Sequence, residues 1–218
     1  MGVLETKGEI IYSTTDDGVF AKDSIDLAMD AYHNNLKKNE KTIVSMVYGE
    51  GGNLMDIHSY WNAFHYQEMR LAAIKPHFKM AQQFLMNKEY FISLGGYDCL
   101  SYEYQDAPVK DLIFYAQNDG AEVIFPPKHC LIATHLPGEE GDHSPIHHAQ
   151  VDHDTPIFNA KYSDPNFLEE REINYDNWKS APQIWERRFG SDPDKLPKTY
   201  EELCIINNYK FEKKVKEG

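Results

Sequence analysis

The chain has 218 residues, with 22 Lys and Arg against 35 Asp and Glu, for a formal net charge of −13. That length fits one domain, two at most, and buries enough core to fold without a disulfide or metal staple. The acidic balance excludes a nucleic-acid-binding surface and an anionic-membrane binder, both of which need clustered positive charge. No apolar run approaches the ~18 residues of a membrane-spanning helix, and nothing at the start reads as a signal peptide. The three cysteines, Cys99, Cys130 and Cys204, form no CxxC pair, so they read as reduced thiols of a cytoplasmic protein.

In chain order, Glu9–Ser13 (EIIYS) is apolar and β-prone and predicts a buried strand, leading into Thr14-Thr15-Asp16-Asp17-Gly18. A helix fits 23–37, with Asp23 as N-cap and Ile25, Ala28, Tyr32 and Leu36 near helical spacing. Thr42–Tyr48 (TIVSMVY) predicts a second strand, ended by Gly49-Glu50-Gly51-Gly52. Residues 54–84 have no clear period and read as a long loop or a bent pair of strands. Asn87 caps a short helix (KEYFISL) that stops at Gly95-Gly96. Residues 107–118 predict a helix, because Val109, Leu112, Ile113 and Ala116 fall at i, i+3, i+4 and i+7. Gly120 closes it, and strands follow at Glu122–Phe125 and Cys130–Thr134. Residues 135–165 read as loop, and helices near 165–172, 176–189 and 199–206 finish the chain. The alternation indicates an α/β domain with a mixed sheet flanked by helices and a C-terminal helical tail.

Two adjacent carboxylates at the end of a buried strand, Asp16 and Asp17, stand where an α/β sheet presents residues to a ligand. Such a pair suits Mg²⁺ or Mn²⁺, hard ions that keep positions open for phosphate oxygens. Asp-Asp-Gly is also turn chemistry, so the pair alone leaves both readings open. Further on come Asn87, Phe91, Gly95, Gly96, Tyr97 and Asp98, then Asp111, Leu112, Tyr115 and Gly120.

This order resembles the GT-A nucleotide-sugar glycosyltransferases, family 2 in particular, over roughly residues 7–135. The resemblance implies a partial GT-A-like fold. Residues 1–165 would be the metal- and acceptor-side part of the domain, and 166–218 a helical tail packed on it. It implies a metal-dependent transfer of a sugar from a nucleotide-sugar donor to a glycan or other hydroxyl acceptor. Asp17 would hold Mn²⁺ or Mg²⁺, Asp16 would face the ribose or donor sugar, and Gly95, Gly96, Tyr97 and Asp98 would shape the acceptor side.

The family's catalytic base precedes the later helix, but there this sequence has Pro108-Val109, which leaves Asp106 and Asp111 as candidates. The family's Arg on that helix is replaced by Tyr115. The family's nucleobase-binding half precedes its acidic motif, yet a βαβ unit needs about 30 residues and only fifteen precede Asp16. A truncated or inactive fragment that binds sugar nucleotides weakly or not at all is therefore expected, with exposed sheet edges that favour a homodimer.

Six histidines, His129, His135, His143, His147, His148 and His153, lie with Asp142, Asp152 and Asp154 in one stretch. Pro145, between His143 and His147, argues against a helical ligand pair. The resemblance makes His143 the first and His135 the second candidate for a late metal ligand. Without it, the stretch reads as a solvated polar loop or as the centre of a His/Asp metal-dependent hydrolase. A non-catalytic carbohydrate-binding fragment is the third reading. Tyr60, Trp61, Phe64, Tyr66, Tyr102 and Tyr104 would stack on a sugar or serve as core anchors.

Overall fold

Short segments that are apolar at successive positions, such as FLMN and TIVS, send their side chains to both sides of a sheet, and both sides are covered. A computed structural model of the chain describes residues 2–14, 18–46, 48–50, 79, 81–98, 101–102, 106–127, 131–133, 144–164, 166–169, 202 and 205. The elements are α1 (Gly2–Glu5), β1 (Ile10–Ser13), β2 (Gly18–Phe20), α2 (Ser24–Leu36), β3 (Thr42–Ser45), β4 (Tyr48–Glu50) and β5 (Phe84–Asn87). They continue with α3 (Lys88–Ser93), α4 (Asp106–Asn118), β6 (Glu122–Ile124), β7 (Leu131–Ala133) and α5 (Ser144–Lys161).

The larger sheet has the order β1-β5-β3-β6. Strand β5 runs antiparallel to both β1 and β3, whereas β3 and β6 are parallel. The domain is thus α/β with a four-stranded mixed sheet and helices, as the sequence pattern predicts. Ile11, Ile43, Phe84, Met86 and Val123 face α3 and α4, where Phe91, Leu112, Ile113 and Ala116 cover them. Val44 and Leu85 face the other way, against Ala28 and Tyr32 of α2. A third cluster joins α4 to α5 through Tyr102, Ala107, Phe114, Phe158 and Tyr162.

The second sheet has the order β2-β7-β4. Its strands follow β1, β3 and β6 in the chain, and those three run in one direction. Each parallel strand therefore feeds the small sheet from its carboxyl end. The single strand expected over Thr42–Tyr48 is divided between the two sheets. Met46 N–H donates to Gln83 O at 2.8 Å, and β4 of the second sheet begins at Tyr48. Gly49 and Glu50, expected to end a strand, lie within β4.

Other expectations are corrected at particular residues. Asp23 has φ 63° and makes no side-chain cap, while its carbonyl accepts from Leu27 N–H at 3.0 Å. Ile25 is exposed, and the buried stripe of α2 includes Ser24 and Asn35 instead. Asn35 Nδ2 donates to Thr42 Oγ1 and to Glu122 Oε2, both at 3.0 Å, tying α2 to β3 and β6. Residues 144–161, expected as loop, are helical, because Pro145 sits in the first turn, where no N–H donor is needed. Pro156 lies inside this helix, and the Asp154, Phe158, Tyr162 stripe holds it against α4. The start of the tail, 166–169, is not helical but is pinned over α4: Asn118 Nδ2 donates to Phe167 O at 2.8 Å, and Tyr115 OH donates to Glu169 O. The helix expected near 176–189 lies outside the described residues, whereas Glu202 and Ile205 of the one near 199–206 are helical.

Tyr90, on α3, donates to Asp119 Oδ2 at 3.0 Å. Burial first, then this bond to a carboxylate, holds its phenol well above the ordinary tyrosine range. Among the described residues no helix is long and apolar enough to cross a membrane.

Candidate functional site

Asn87 Oδ1 accepts from Tyr90 N–H at 2.9 Å, the N-cap that starts α3 as expected. The helix ends at two left-handed glycines, Gly95 (φ 83°) and Gly96 (φ 65°). Gly96 N–H donates back to Phe91 O at 3.1 Å, a helix-terminating bond that needs this backbone shape. The reversal carries Tyr97 back onto the sheet. Its ring stands edge-on to Phe91 at 5.3 Å and to Phe84 at 6.4 Å. Its hydroxyl lies 2.6 Å from Ser13 Oγ, at the carboxyl end of β1. That length marks a good O–H···O hydrogen bond, and either group can donate.

The same strand end is held a second time. Thr14 Oγ1 donates to Oε1 of the buried Gln83 at 2.8 Å. Tyr12 OH reaches the same oxygen at 3.4 Å. Since Gln83 O also accepts from Met46 N–H at 2.8 Å, this one residue links the exits of β1 and β3. Ser13, Thr14, Gln83 and Tyr97 thus form a polar rim at the edge where the three parallel strands end. Asp16 and Asp17 belong to the connection from β1 to β2 and lie outside the described residues, as do His135 and His143.

On the other side of the turn, Asp98 Oδ1 accepts from Ser101 N–H at 2.9 Å. Its Oδ2 lies 3.4 Å from Lys161 Nζ, the last residue of α5. Lys161 Nζ also lies 3.1 Å from Asp111 Oδ1 and 3.4 Å from Glu169 Oε1. It sits over the rings of Tyr102 and Phe167, at 5.6 and 5.3 Å. Asp111 is fully enclosed: Tyr162 OH is shared between its backbone O at 2.8 Å and its Oδ1 at 3.0 Å, and Tyr102 OH approaches Oδ1 at 3.3 Å. Tyr102 is therefore a core anchor, whereas Tyr60, Trp61, Phe64, Tyr66 and Tyr104 lie outside the described residues.

The structure thus brings together Tyr97 with the end of β1, and Asp98 with Asp111 through Lys161. Asp106 opens α4, five residues before Asp111. Lys161, Gln83 and Ser13 escaped the sequence reading. A signal for Lys161 existed in the helical spacing of Asp154, Phe158 and Tyr162, hidden by Pro156; none marked Gln83. On α5, His153 Nδ1 lies 2.6 Å from Oδ1 of the buried Asp154. Among the described residues no group of three or more His, Cys, Asp or Glu side chains is placed to hold a metal ion. A scan against protein-family models finds no match to this chain, and a search of curated proteins finds none either.

Proposed function

We propose that this chain carries the metal and acceptor side of a GT-A-like glycosyltransferase, which moves a sugar from a nucleotide-sugar donor to a hydroxyl acceptor. One observation carries the reading. Tyr97 of the Gly-Gly-Tyr-Asp turn meets Ser13, 84 residues earlier, at the strand end that leads to Asp16-Asp17. The Gly-Gly-Tyr-Asp turn thus reaches the carboxyl end of β1, at the edge where α/β domains bind ligands.

The donor set of Asp17 and a late histidine, His143 or His135, would consist of carboxylate oxygen and imidazole, which suit Mn²⁺ or Mg²⁺, with Asp16 facing the ribose or donor sugar. When bound, the ion would offset the negative charge that develops on the leaving diphosphate. Gly95 and Gly96 present backbone without side-chain bulk on the acceptor side, and Tyr97 and Asp98 fix the turn from its two flanks. A base has to reach the attacking hydroxyl directly or through one water. Asp111 is enclosed and engaged with Lys161, so the role falls to Asp106, at the start of α4.

Calorimetric titration of the chain with UDP, GDP and their sugars, with and without Mn²⁺, tests the reading. The expected result is at most weak heat, which requires Mn²⁺ and disappears in Asp17→Asn. Nucleotide binding indifferent to both Mn²⁺ and Asp17→Asn would overturn it.

A further inference from the structure

We infer that residues 166–169 are a strap that firms the Gly-Gly-Tyr-Asp turn: Phe167 shields the Lys161 ammonium, and the shielded ammonium holds Asp98. The coupling does not depend on the glycosyltransferase reading. The strap is anchored from α4, where Tyr115 OH donates to Glu169 O and Asn118 Nδ2 donates to Phe167 O at 2.8 Å. Asp164 sets its start: the carbonyl accepts from Phe167 N–H at 3.1 Å, and Oδ1 accepts from Asn166 N–H at 2.9 Å. These bonds hold the Phe167 ring edge-on to Tyr162 at 5.6 Å, packed against both clusters that α4 joins. The same ring lies 5.3 Å from Lys161 Nζ, and the Tyr102 ring lies 5.6 Å from it.

Lys161 Nζ meets one carboxylate from each of three segments: Asp98 of the turn, Asp111 of α4 and Glu169 of the strap. Water competes with Asp98 for the ammonium, and an ion pair open to water is worth little. An apolar ring beside the pair keeps water out and strengthens the attraction. Lifting the strap removes that ring and Glu169 together. Glu169 is half-exposed and a weak competitor for the ammonium, so the loss of the ring sets the direction, and the hold on Asp98 slackens. The hold passes into the turn because the other oxygen of Asp98, Oδ1, accepts from Ser101 N–H at 2.9 Å. Next to it stand the left-handed Gly95 and Gly96, whose backbone has little stiffness of its own and needs an outside anchor.

The test is amide hydrogen exchange, followed residue by residue by NMR on the full chain. Ser101 N–H, bonded to Asp98 Oδ1, and Gly96 N–H, bonded to Phe91 O, report on the turn. Tyr90 N–H, bonded to Asn87 Oδ1, and Met46 N–H, bonded to Gln83 O, are the controls. Phe167→Ala should speed exchange of the two turn amides about two- to tenfold, the range one hydrogen bond spans, and leave the controls as in the parent. Asp98→Asn keeps an acceptor for Ser101 but loses the charge that Lys161 holds, and should have a similar effect. The double variant should exchange no faster than the faster single one, because both changes act on one contact. Turn rates unchanged in Phe167→Ala, or raised only by the factor seen at the controls, would overturn the coupling, as would effects of the two substitutions that simply add. Should Phe167→Ala fail to fold, Phe167→Leu keeps most of the apolar volume, loses the flat face beside the ammonium, and is read in the same way.

Discussion

Lys161→Met removes one ammonium from between three carboxylates and keeps most of the stem that packs on Tyr102 and Phe167. The cost is set by Asp111, whose side chain is 0% exposed beside a lysine at 12%. Breaking a buried pair from one side typically costs 3–5 kcal/mol, because the remaining charge has no counter-ion. Asp111 keeps the Tyr162 hydroxyl at 3.0 Å and the Tyr102 hydroxyl at 3.3 Å, which places the expected loss near the lower bound, about 3 kcal/mol. Asp98 and Glu169 are 19% and 47% exposed and regain water, so they add little. Urea unfolding at neutral pH reads the effect: at roughly 2 kcal/mol/M the midpoint should fall by about 1.5 M. Adding Asp111→Asn to Lys161→Met removes the buried charge yet keeps an acceptor for both tyrosines, and should recover most of the loss. Glu169→Gln alone should cost under about 1 kcal/mol. A Lys161→Met midpoint within about 0.3 M of the parent would refute the argument that this ion pair clamps α5 to α4.

The alkaline limb of stability should depend on Tyr90, whose phenol is held above its ordinary value of 10.0 by burial and by Asp119. Above pH 10 the unfolded chain loses this proton while the folded chain keeps it, so stability falls as pH rises, by at most about 1.4 kcal/mol per unit. Tyr90→Phe lacks that slope; its deficit relative to the parent, measured by urea midpoints, should narrow between about pH 10 and 12, and a constant deficit would refute the assignment. Gly120 has φ 89°, and a Cβ built on it meets no atom within 4 Å. Gly120→Ala should therefore cost only the left-handed backbone penalty, about 1 kcal/mol, and Gly120→Asn less; a loss of several kcal/mol in the thermal or urea midpoint would show that packing matters there.

Where local signals and tertiary contacts agree, the fold was legible in the sequence. Asn87 caps α3, and Leu112, Ile113 and Ala116 of α4 point into the core, as their spacing requires. The strand at Ile10–Ser13 sits where the apolar run predicts it. The failures are equally specific. Nothing in TIVSMVY says that the chain leaves one sheet after Ser45 and joins another at Tyr48, because both halves are β-prone and only a partner decides. Pro145 argued against a helix, yet it sits in the first turn of α5, and aromatic packing of α5 on α4 outweighs the hydrogen bond forgone at Pro156. The candidate site divides along the same line. Tyr97 and Asp98 stand in a recognisable motif, but what they touch, Ser13 and Lys161, follows from topology that no local pattern encodes.

The strand order has a consequence for synthesis. Among the described strands β1 lies at the border of its sheet, and its described neighbour is β5; Tyr12 bonds across to Gln83, 71 residues later. At 5–20 residues per second a ribosome takes roughly 4–14 s to supply that partner. Strand β2 waits longer still, until β7 has emerged. Nascent β1 and β2 thus leave the ribosome with their backbone donors and acceptors still waiting for partners in the same chain, while α2 can form at once from local bonds. Assembly of both sheets is therefore a late, concerted event, and the nascent chain relies on its acidic surface, and on any chaperone that shields β1, to keep those strands from other chains.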